Sequence, residues 1–344
     1  MNKTTTTPHC PPASNARPGP ALRRRPLVVG LGAALAGAIG APAVRAQAWP
    51  ARTIRFVVPF SAGGANDLMA RAAAEGAAPI LGQTIVIENR GGAGGTIGAD
   101  FVAKSATDGY TFLISAAGVI SNSMIKKKMP FKDEDLVPVA MIGLAPSVIV
   151  VPHAAPYQNL RDFVEASKRG AGFHFATAGT GSTPHFVAEM LNVKYGAKLQ
   201  PVPYKSGAES TTAVLSGQVQ GTSEASIIAL PHMKSDGRFK GLATTWTKRI
   251  AVYPQLPTAI EQGFPELKIA HWAGIHAPRG TPAEILDRVA AAVDQAMKAP
   301  ATVKKLSELG IEPIGGTRAD FVRFVTEERQ RLGEIVKAAH MQET

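Results

Sequence analysis

The sequence predicts an α/β fold arranged as two domains. Short strand-like runs alternate with helical stretches along the chain, and two of these runs lead into loops of glycine and other small residues. Residues 282–339 are predicted to be mostly helical. Strands that alternate with helices favour parallel sheets covered by helices. The roughly 300 residues that follow the N-terminal segment are enough for two domains of ordinary size.

The first half contains four predicted strands, and the first and fourth end at Pro59 and Pro152. A helix is expected from about Asn66 to Ala78, and the glycine-rich segment 91–98 leads into a short helix. The second half repeats the scheme, with a helix after each of three further strands. The predicted strands are 54–58, 84–88, 110–115, 148–151, 173–177, 199–203 and 219–223, and the C-terminal helices are 282–298 and 318–339.

The N-terminus is typical of an export signal. Residues 1–46 hold six Lys and Arg and no acidic residue, and an apolar run rich in Gly and Ala extends from Pro26 to Val44. The segment ends in small residues at Ala46, so we predict a cleaved signal peptide over 1–46 and a periplasmic location. The pair Arg24-Arg25 resembles a twin-arginine signal. The alternative is an uncleaved anchor, although Pro42 and the many Gly and Ala weaken that interpretation.

This segment also accounts for most of the basic character of the chain. The full sequence has 37 basic and 26 acidic residues and a net charge of +11. Without the six basic residues of 1–46, 31 basic residues remain against 26 acidic ones, a net charge of +5. This mild excess does not predict nucleic-acid binding. The single cysteine, Cys10, lies in the same segment, so residues 47–344 have no disulfide, no thiolate metal site and no Cys nucleophile.

Two loops of similar character follow predicted strands, at 59–67 and at 178–185. Glycine lets a ligand approach the backbone closely, and the first turn of the following helix presents free N–H groups and a positive dipole. Each loop is therefore a candidate anion site. The alternatives are plain connections, in which Ser182 is only an N-cap, Asp67 only a dipole partner and His185 a packed or capping side chain.

Enzyme signatures are absent from the sequence. Residues 179–184 lack the third glycine of a dinucleotide fingerprint, and neither a P-loop, a His-Glu-x-x-His pair nor a Gly-x-Ser-x-Gly elbow occurs. Ser182, His185 and Glu224 could form a hydrolase triad on paper, but a spacing of three residues at a helix start does not aim an imidazole at a hydroxyl. We therefore predict no catalytic residue, no metal site and no cofactor, and keep a Ser/His hydrolase as a minor alternative.

The motifs around these loops resemble the substrate-binding receptors of tripartite tricarboxylate transporters, the Bug receptors of the TctC type. The resemblance covers nearly all of residues 47–344, and the order and number of the motifs make it specific. They are Trp49-Pro50, residues 59–71, 88–98, 108–112, Gly181-Ser182 with His185, and residues 202–206, 230–232, 256–258 and 277–282.

This resemblance implies a type II periplasmic binding protein fold, in which two α/β domains close around a ligand cleft like a Venus flytrap. The domains would be 47–150 plus 275–344, and 151–274. The ligand would be a small carboxylated metabolite, such as a dicarboxylate, an aromatic acid or an amino acid. The protein would act as a monomer, and its partners would be inner-membrane transporter subunits or, alternatively, a sensor domain that uses the same capture for signalling.

The family's motifs also imply which residues contact the ligand, through backbone groups and ordered waters. The first loop would contribute Phe60, Ser61, Ala62, Gly63, Gly64 and Asp67, the second Thr177, Gly179, Gly181, Ser182 and His185, and the end of the third strand Ser115, Ala116 and Ala117.

Two positions depart from the family pattern. Gly91 replaces a proline, which affects loop stiffness. Glu224-Ala225 replaces the usual Asp-Asn. If Glu224 points into the cleft as a charged group, it would repel a second carboxylate and favour an amine or a hydroxyl. The alternative is that Glu224 caps a helix or faces solvent.

Overall fold

The computed structural model describes residues 49–234 and 237–343, so the predicted signal peptide lies outside the described residues. Strands and helices alternate along this part of the chain. The strands are β1 (Ile54–Val58), β2 (Ile85–Asn89), β3 (Thr111–Ser115), β4 (Leu136–Pro152), β5 (Phe173–Thr177), β6 (Leu199–Pro203), β7 (Gly221–Ala225), β8 (Phe239–Thr244), β9 (Ala270–Pro278) and β10 (Glu312–Pro313). The helices are α1 (Ala65–Leu81), α2 (Thr96–Ala103), α3 (Ala117–Ile125), α4 (Leu160–Ser167), α5 (Thr183–Tyr195), α6 (Gly207–Leu215), α7 (Ser226–Lys234), α8 (Ala283–Lys298), α9 (Pro300–Glu308) and α10 (Arg318–Ala338).

The strands follow the order β2-β1-β3-β9-β4-β7-β5-β6, with β8 and β10 also paired to β4. β1 runs parallel to β2 and β3, and β5 runs parallel to β6 and β7. The expected parallel pairing is present in these two groups, whereas β4 in the middle of the strand order pairs antiparallel with β7, β8, β9 and β10.

The length of β4 explains this arrangement. Its 17 residues are almost all buried, and only 148–151 were expected as a strand. The part up to Pro146 pairs with β9, and the part from Ser147 to Val150 pairs with β7. A strand that is buried on both faces reads as a continuous apolar run, and such a run does not encode the direction of its neighbours.

The helices cover these strands with apolar faces. α8 packs on α1 at Gly76, where an added Cβ would lie 2.8 Å from the Cβ of Ala296, so the two backbones come closer than larger side chains would allow. α10 buries Phe321 against Trp272 of β9. Within residues 49–234 and 237–343, the structure contains no helix with the length and apolarity of a membrane span.

Each strand of the two parallel groups leads into a helix, and five of these connections are important for the site. They run from β1 to α1, β3 to α3, β5 to α5, β6 to α6 and β7 to α7, and the last has no intervening residue. In open α/β sheets, ligands bind outside the carboxyl ends of the strands. The fold therefore places five connections where a ligand site is expected.

Candidate ligand-binding site

All five connections line one cavity of about 280 Å³. The lining residues come mostly from the turns before each helix, and most of their side chains are small. They are Phe60, Ser61, Ala62, Gly63, Gly64, Ala65 and Asn66 after β1, Ala116, Ala117 and Gly118 after β3, Ala178, Ser182, Thr183 and Pro184 after β5, Lys205, Ser206, Gly207 and Ala208 after β6, Glu224, Ala225 and Ile228 after β7, and His271 of β9.

Four helix N-caps lie on the wall of this cavity: Gly64, Ala116, Ser182 and Ser206. The side chain of Ser206 accepts a hydrogen bond from the Glu209 N–H, but the other three caps make no such side-chain bond. The first N–H groups of a helix have no partner within the helix, and they carry the positive end of its dipole. Their convergence favours an anionic ligand without an Arg side chain.

Asp67 does not line the cavity, but it stabilises the first loop. It is 2% exposed, and its carboxylate accepts hydrogen bonds from the Gly63 N–H at 2.9 Å, from the Arg71 Nε at 2.9 Å and from the Asn89 Nδ2 at 3.0 Å. Burial acts to raise the pKa of Asp67, but the hydrogen bonds from Arg71, Gly63 and Asn89 outweigh it, so the pKa lies below its ordinary value. The Gly63 N–H is therefore occupied by Asp67 and is not available to a ligand.

The second loop is stabilised by a hydroxyl and an imidazole. The Ser182 hydroxyl donates to the carbonyl of Gly179 at 2.6 Å, and the His185 Nδ1 accepts the N–H of Gly181 at 3.1 Å. The His185 Nε2 lies 3.7 Å from the Glu189 Oε1. Ser182 and His185 thus bind the loop backbone and not each other, so they lack the hydrogen bond on which a hydrolase triad depends.

The second loop also contacts α3. The Ser121 hydroxyl donates to the carbonyl of Gly181 at 3.2 Å. Gly181 has φ +76°, and a Cβ there would lie 2.8 Å from the Ser121 Oγ. Next to it, a Cβ on Gly94 would lie 2.9 Å from the carbonyl oxygen of Thr180. Glycine at these positions permits close backbone contact between the second loop and the segments that follow β2 and β3.

Nine of the predicted ligand residues line the cavity, and six do not. Those on the wall are Phe60, Ser61, Ala62, Gly63, Gly64, Ala116, Ala117, Ser182 and Glu224. Asp67, Gly179, Gly181 and His185 lie behind it and hold the loops, as described above. The Thr177 hydroxyl donates to the Val202 carbonyl, and the Ser115 hydroxyl contacts the His276 Nδ1 at 2.7 Å and the Gly274 carbonyl at 3.1 Å.

Some lining residues were not assigned to the site from the sequence, among them the β6–α6 connection and His271. Lys205 and Ser206 lie between a predicted strand and a predicted helix, so the signal that identified the first two loops applied to them as well. His271 lies within β9, which was not predicted, and no local pattern marks it. Its Nε2 lies 3.2 Å from the Ser147 Oγ, and burial lowers the pKa of His271 to about 4.

Glu224 lines the cavity and is buried, so it does not face bulk solvent. Its side chain is 4% exposed, and Oε1 has no hydrogen-bond partner among the residues that the structure describes. The position of an added Cβ at Gly207 is 3.0 Å from its Oε2. Burial raises the pKa of Glu224 to about 8, against the opposing effect of a hydrogen bond with the Thr222 side chain.

Comparison with known proteins identifies the family. Residues 69–341 match the family described as Tripartite tricarboxylate transporter family receptor, TctC. The chain is 35% identical to protein BugT of Bordetella pertussis over 314 residues, which are 90% of this chain and 95% of BugT. Among solved structures, Rpa4515 of R. palustris with adipate has a TM-score of 0.81 at 33% identity and covers 85% of this chain and 98% of its own. The periplasmic binding protein BugD has a TM-score of 0.79 at 30% identity and covers 86% of this chain and 100% of its own.

The expected fold is confirmed: it is an α/β fold of the kind found in the periplasmic binding proteins of this family. These matches extend over most of this chain and nearly all of each compared protein. The chain therefore belongs to the TctC family of tripartite tricarboxylate transporter receptors.

Proposed function

We propose that this protein captures a small carboxylate in the periplasm and delivers it to the membrane subunits of a tripartite tricarboxylate-type transporter. The observation that supports this most strongly is the convergence of four helix N-caps on one cavity. A carboxylate bound there would receive backbone N–H groups from several helices at once, and such charge-assisted hydrogen bonds are among the strong ones. The predicted signal peptide and the family membership support the location and the partners.

The size and character of the cavity favour a short aliphatic acid. A volume of about 280 Å³ is near the lower end of the range for small-molecule sites. The wall includes several alanines together with Phe60 and Ile228, whose apolar side chains suit methylene groups. The relative Rpa4515 was solved with adipate, so a linear acid of this kind is the first candidate for this chain.

We further propose that the two predicted domains, 47–150 plus 275–344 and 151–274, move relative to each other when the ligand enters and leaves. Closure around a ligand would give the transporter a recognisable loaded state. The contact between Ser121 of α3 and Gly181 of the second loop would join the two domains in the closed form.

The proposal can be tested by measuring the thermal unfolding of the purified protein with a panel of carboxylic acids. A ligand that binds only the folded state raises the melting temperature. We expect at least one linear mono- or dicarboxylate to do so, and calorimetry should then give a single site. A control panel of uncharged amides of the same lengths should leave the melting temperature unchanged. Capture of carboxylates is ruled out if no acid in a broad panel shifts it.

A large side chain at Gly63 provides the matched structural test. Nothing lies within 4 Å of an added Cβ at this position, although φ is +79°, so a side chain would project from the first loop without a clash. We expect Gly63→Leu to abolish binding while the protein stays folded, and Gly217→Leu, which has φ +73° and equally open surroundings, to leave binding intact. Unchanged affinity of Gly63→Leu would remove the first loop from the site.

A further inference from the structure

We propose that Glu224 acts as a neutral carboxylic acid that donates a hydrogen bond to the second carboxylate of a dicarboxylate ligand, which makes capture dependent on a proton at this side chain. The inference rests on the proposed function, because it requires the first carboxylate to lie on the helix N-termini. It makes Glu224 the residue that distinguishes dicarboxylates from monocarboxylates.

Glu224 is placed where it can contact a ligand bound to the loops. It lies near the end of β7, which pairs parallel with β5 and antiparallel with β4. Its side chain lines the same cavity as the β1–α1 and β5–α5 loops. Most of the remaining wall consists of backbone, alanine and other apolar groups. A ligand whose carboxylate lies on the loops would therefore meet Glu224 with another part of its skeleton.

One carboxylate oxygen of Glu224 is left to interact with a ligand. The Oε1 atom is buried and has no hydrogen-bond partner among the residues described, and no neighbouring cation contributes to its electrostatics. An ionised carboxylate in such a place is costly, and proteins resolve this cost by keeping the group neutral. A neutral acid has one O–H donor. The repulsion expected between two charged carboxylates is then replaced by an O–H to carboxylate hydrogen bond, which is short and strong.

Other titratable groups around Glu224 do not supply this proton dependence. His271 of β9 shares the cavity, but burial lowers its pKa to about 4, so it is neutral across the range of the test. Lys205, before α6, also lines the cavity but is exposed, and Glu209 of α6 accepts the Lys205 backbone N–H.

The remaining titratable groups lie on the elements packed around Glu224. On α1, Asp67 is held ionised by Arg71. On α5, His185 contacts Glu189 and the second loop. On α7 the groups are His232 and Lys234 in its last turn. The part of β4 that pairs with β7 contains none.

The test measures the dissociation constants of succinate, glutarate and adipate for the full protein between pH 6 and 9.5, with hexanoate as the monocarboxylate control. All these acids are almost fully ionised above pH 7, where the change in affinity is expected. Since the pKa of Glu224 is raised to about 8, the dissociation constant of the dicarboxylate that binds best should be nearly constant up to about pH 7. It should then rise by up to about tenfold per pH unit above pH 8. Hexanoate should show no such slope.

Two variants separate the donor from the charge. Glu224→Gln retains an N–H donor and cannot ionise, so dicarboxylate affinity should stay within a few-fold of wild type and lose its pH dependence. Glu224→Ala removes the donor and should weaken dicarboxylates by about tenfold or more, since one charge-assisted hydrogen bond is lost, with little effect on hexanoate. A Lys205→Gln variant should keep the wild-type slope.

The outcomes distinguish this inference from the proposed function. If no carboxylate binds at any pH, the proposed function fails. If hexanoate binds and no dicarboxylate does, or if dicarboxylate affinity is independent of pH, only the role of Glu224 is overturned. Affinity that increases with pH for an amino acid of similar length, together with loss of that binding in Glu224→Gln, would show that Glu224 binds an ammonium group as a charged partner.

Discussion

Two carboxyl groups are buried next to the same cavity, at the ends of two strand-to-helix connections, and they have opposite environments. Asp67 follows β1, accepts hydrogen bonds from Gly63, Arg71 and Asn89, and has a lowered pKa. Glu224 is the penultimate residue of β7. One of its oxygens has no partner among the residues that the structure describes, and its pKa is raised. A buried acid thus has two different roles beside this cavity. Asp67 is an ionised group that holds a loop in place, whereas Glu224 is a neutral group that faces the cavity.

The largest expected effect concerns the stability of the Glu224→Gln variant. The pKa of Glu224 is raised from 4.5 to about 8 in the folded protein, so the folded state holds a proton that the unfolded state releases. The wild type therefore loses stability as the pH rises from about 4.5 to about 8, and the loss is complete above the folded pKa. The variant lacks this loss. Its stability relative to wild type should increase by up to about 4 kcal/mol over that interval, measured by urea unfolding at several pH values. A difference that does not change with pH would contradict the neutral state of Glu224.

The next largest effect is expected for a substitution that removes the charge of Asp67. In Asp67→Asn, the ionised acceptor that binds Gly63, Arg71 and Asn89 becomes a neutral amide. We expect a loss of about 2 to 3 kcal/mol in the free energy of unfolding, because hydrogen bonds to charged groups contribute more than neutral ones and Arg71 is half exposed. Ligand affinity should fall as well, since Gly63 belongs to the first loop.

Asp162→Asn is the matched control for this substitution. Asp162 also lies in the first turn of a helix and accepts a backbone N–H, that of Gln158, but it is exposed. Its replacement should cost about 0.5 kcal/mol or less. Equal losses in the two variants would mean that the contacts of Asp67 are no more important than an ordinary helix-dipole interaction.

The smallest effect concerns the contact between the second loop and α3. Ser121→Ala removes the hydroxyl that donates to the Gly181 carbonyl at 3.2 Å. We expect affinity to fall by a few-fold, equivalent to about 1 kcal/mol, because the loop loses a contact of the closed form. Ser167→Ala, which removes a buried hydroxyl bonded to Val164 within α4, should leave affinity unchanged. Calorimetric titration of both variants with the same acid makes the comparison, and equal affinities would exclude a role of the Ser121 contact in capture.

Much of the fold could be predicted from local sequence patterns. The predicted bounds of β1, β5 and β6 coincide with the observed strands. These elements have clear ends, because prolines or glycine-rich loops follow them. In contrast, β8 and β9 were not predicted, and only 4 of the 17 residues of β4 were. The directions of these strands depend on partners that are distant in the chain, and no local pattern records them.

The candidate site divides in the same way. Strand–glycine–helix patterns identified the first and second loops, and most of the predicted residues line the cavity. The pattern could not show that the N–H of Gly63 is already bound by Asp67, nor that the side chain of His271 reaches the wall from β9. Both facts depend on which atoms remain free after the chain has folded.

By itself, the sequence determined that the protein is α/β, that glycine loops precede its helices, that residues 47–344 contain no thiol, and that its motifs are those of the TctC family. Periodicity, turn residues and composition are local properties, and they need no partner to be read. Only the tertiary structure decided that four N-caps meet at one cavity and that two similar acids reach opposite protonation behaviour beside it. Burial and hydrogen bonding are set by neighbours from other strands, so the difference between Asp67 and Glu224 exists only once those strands are assembled.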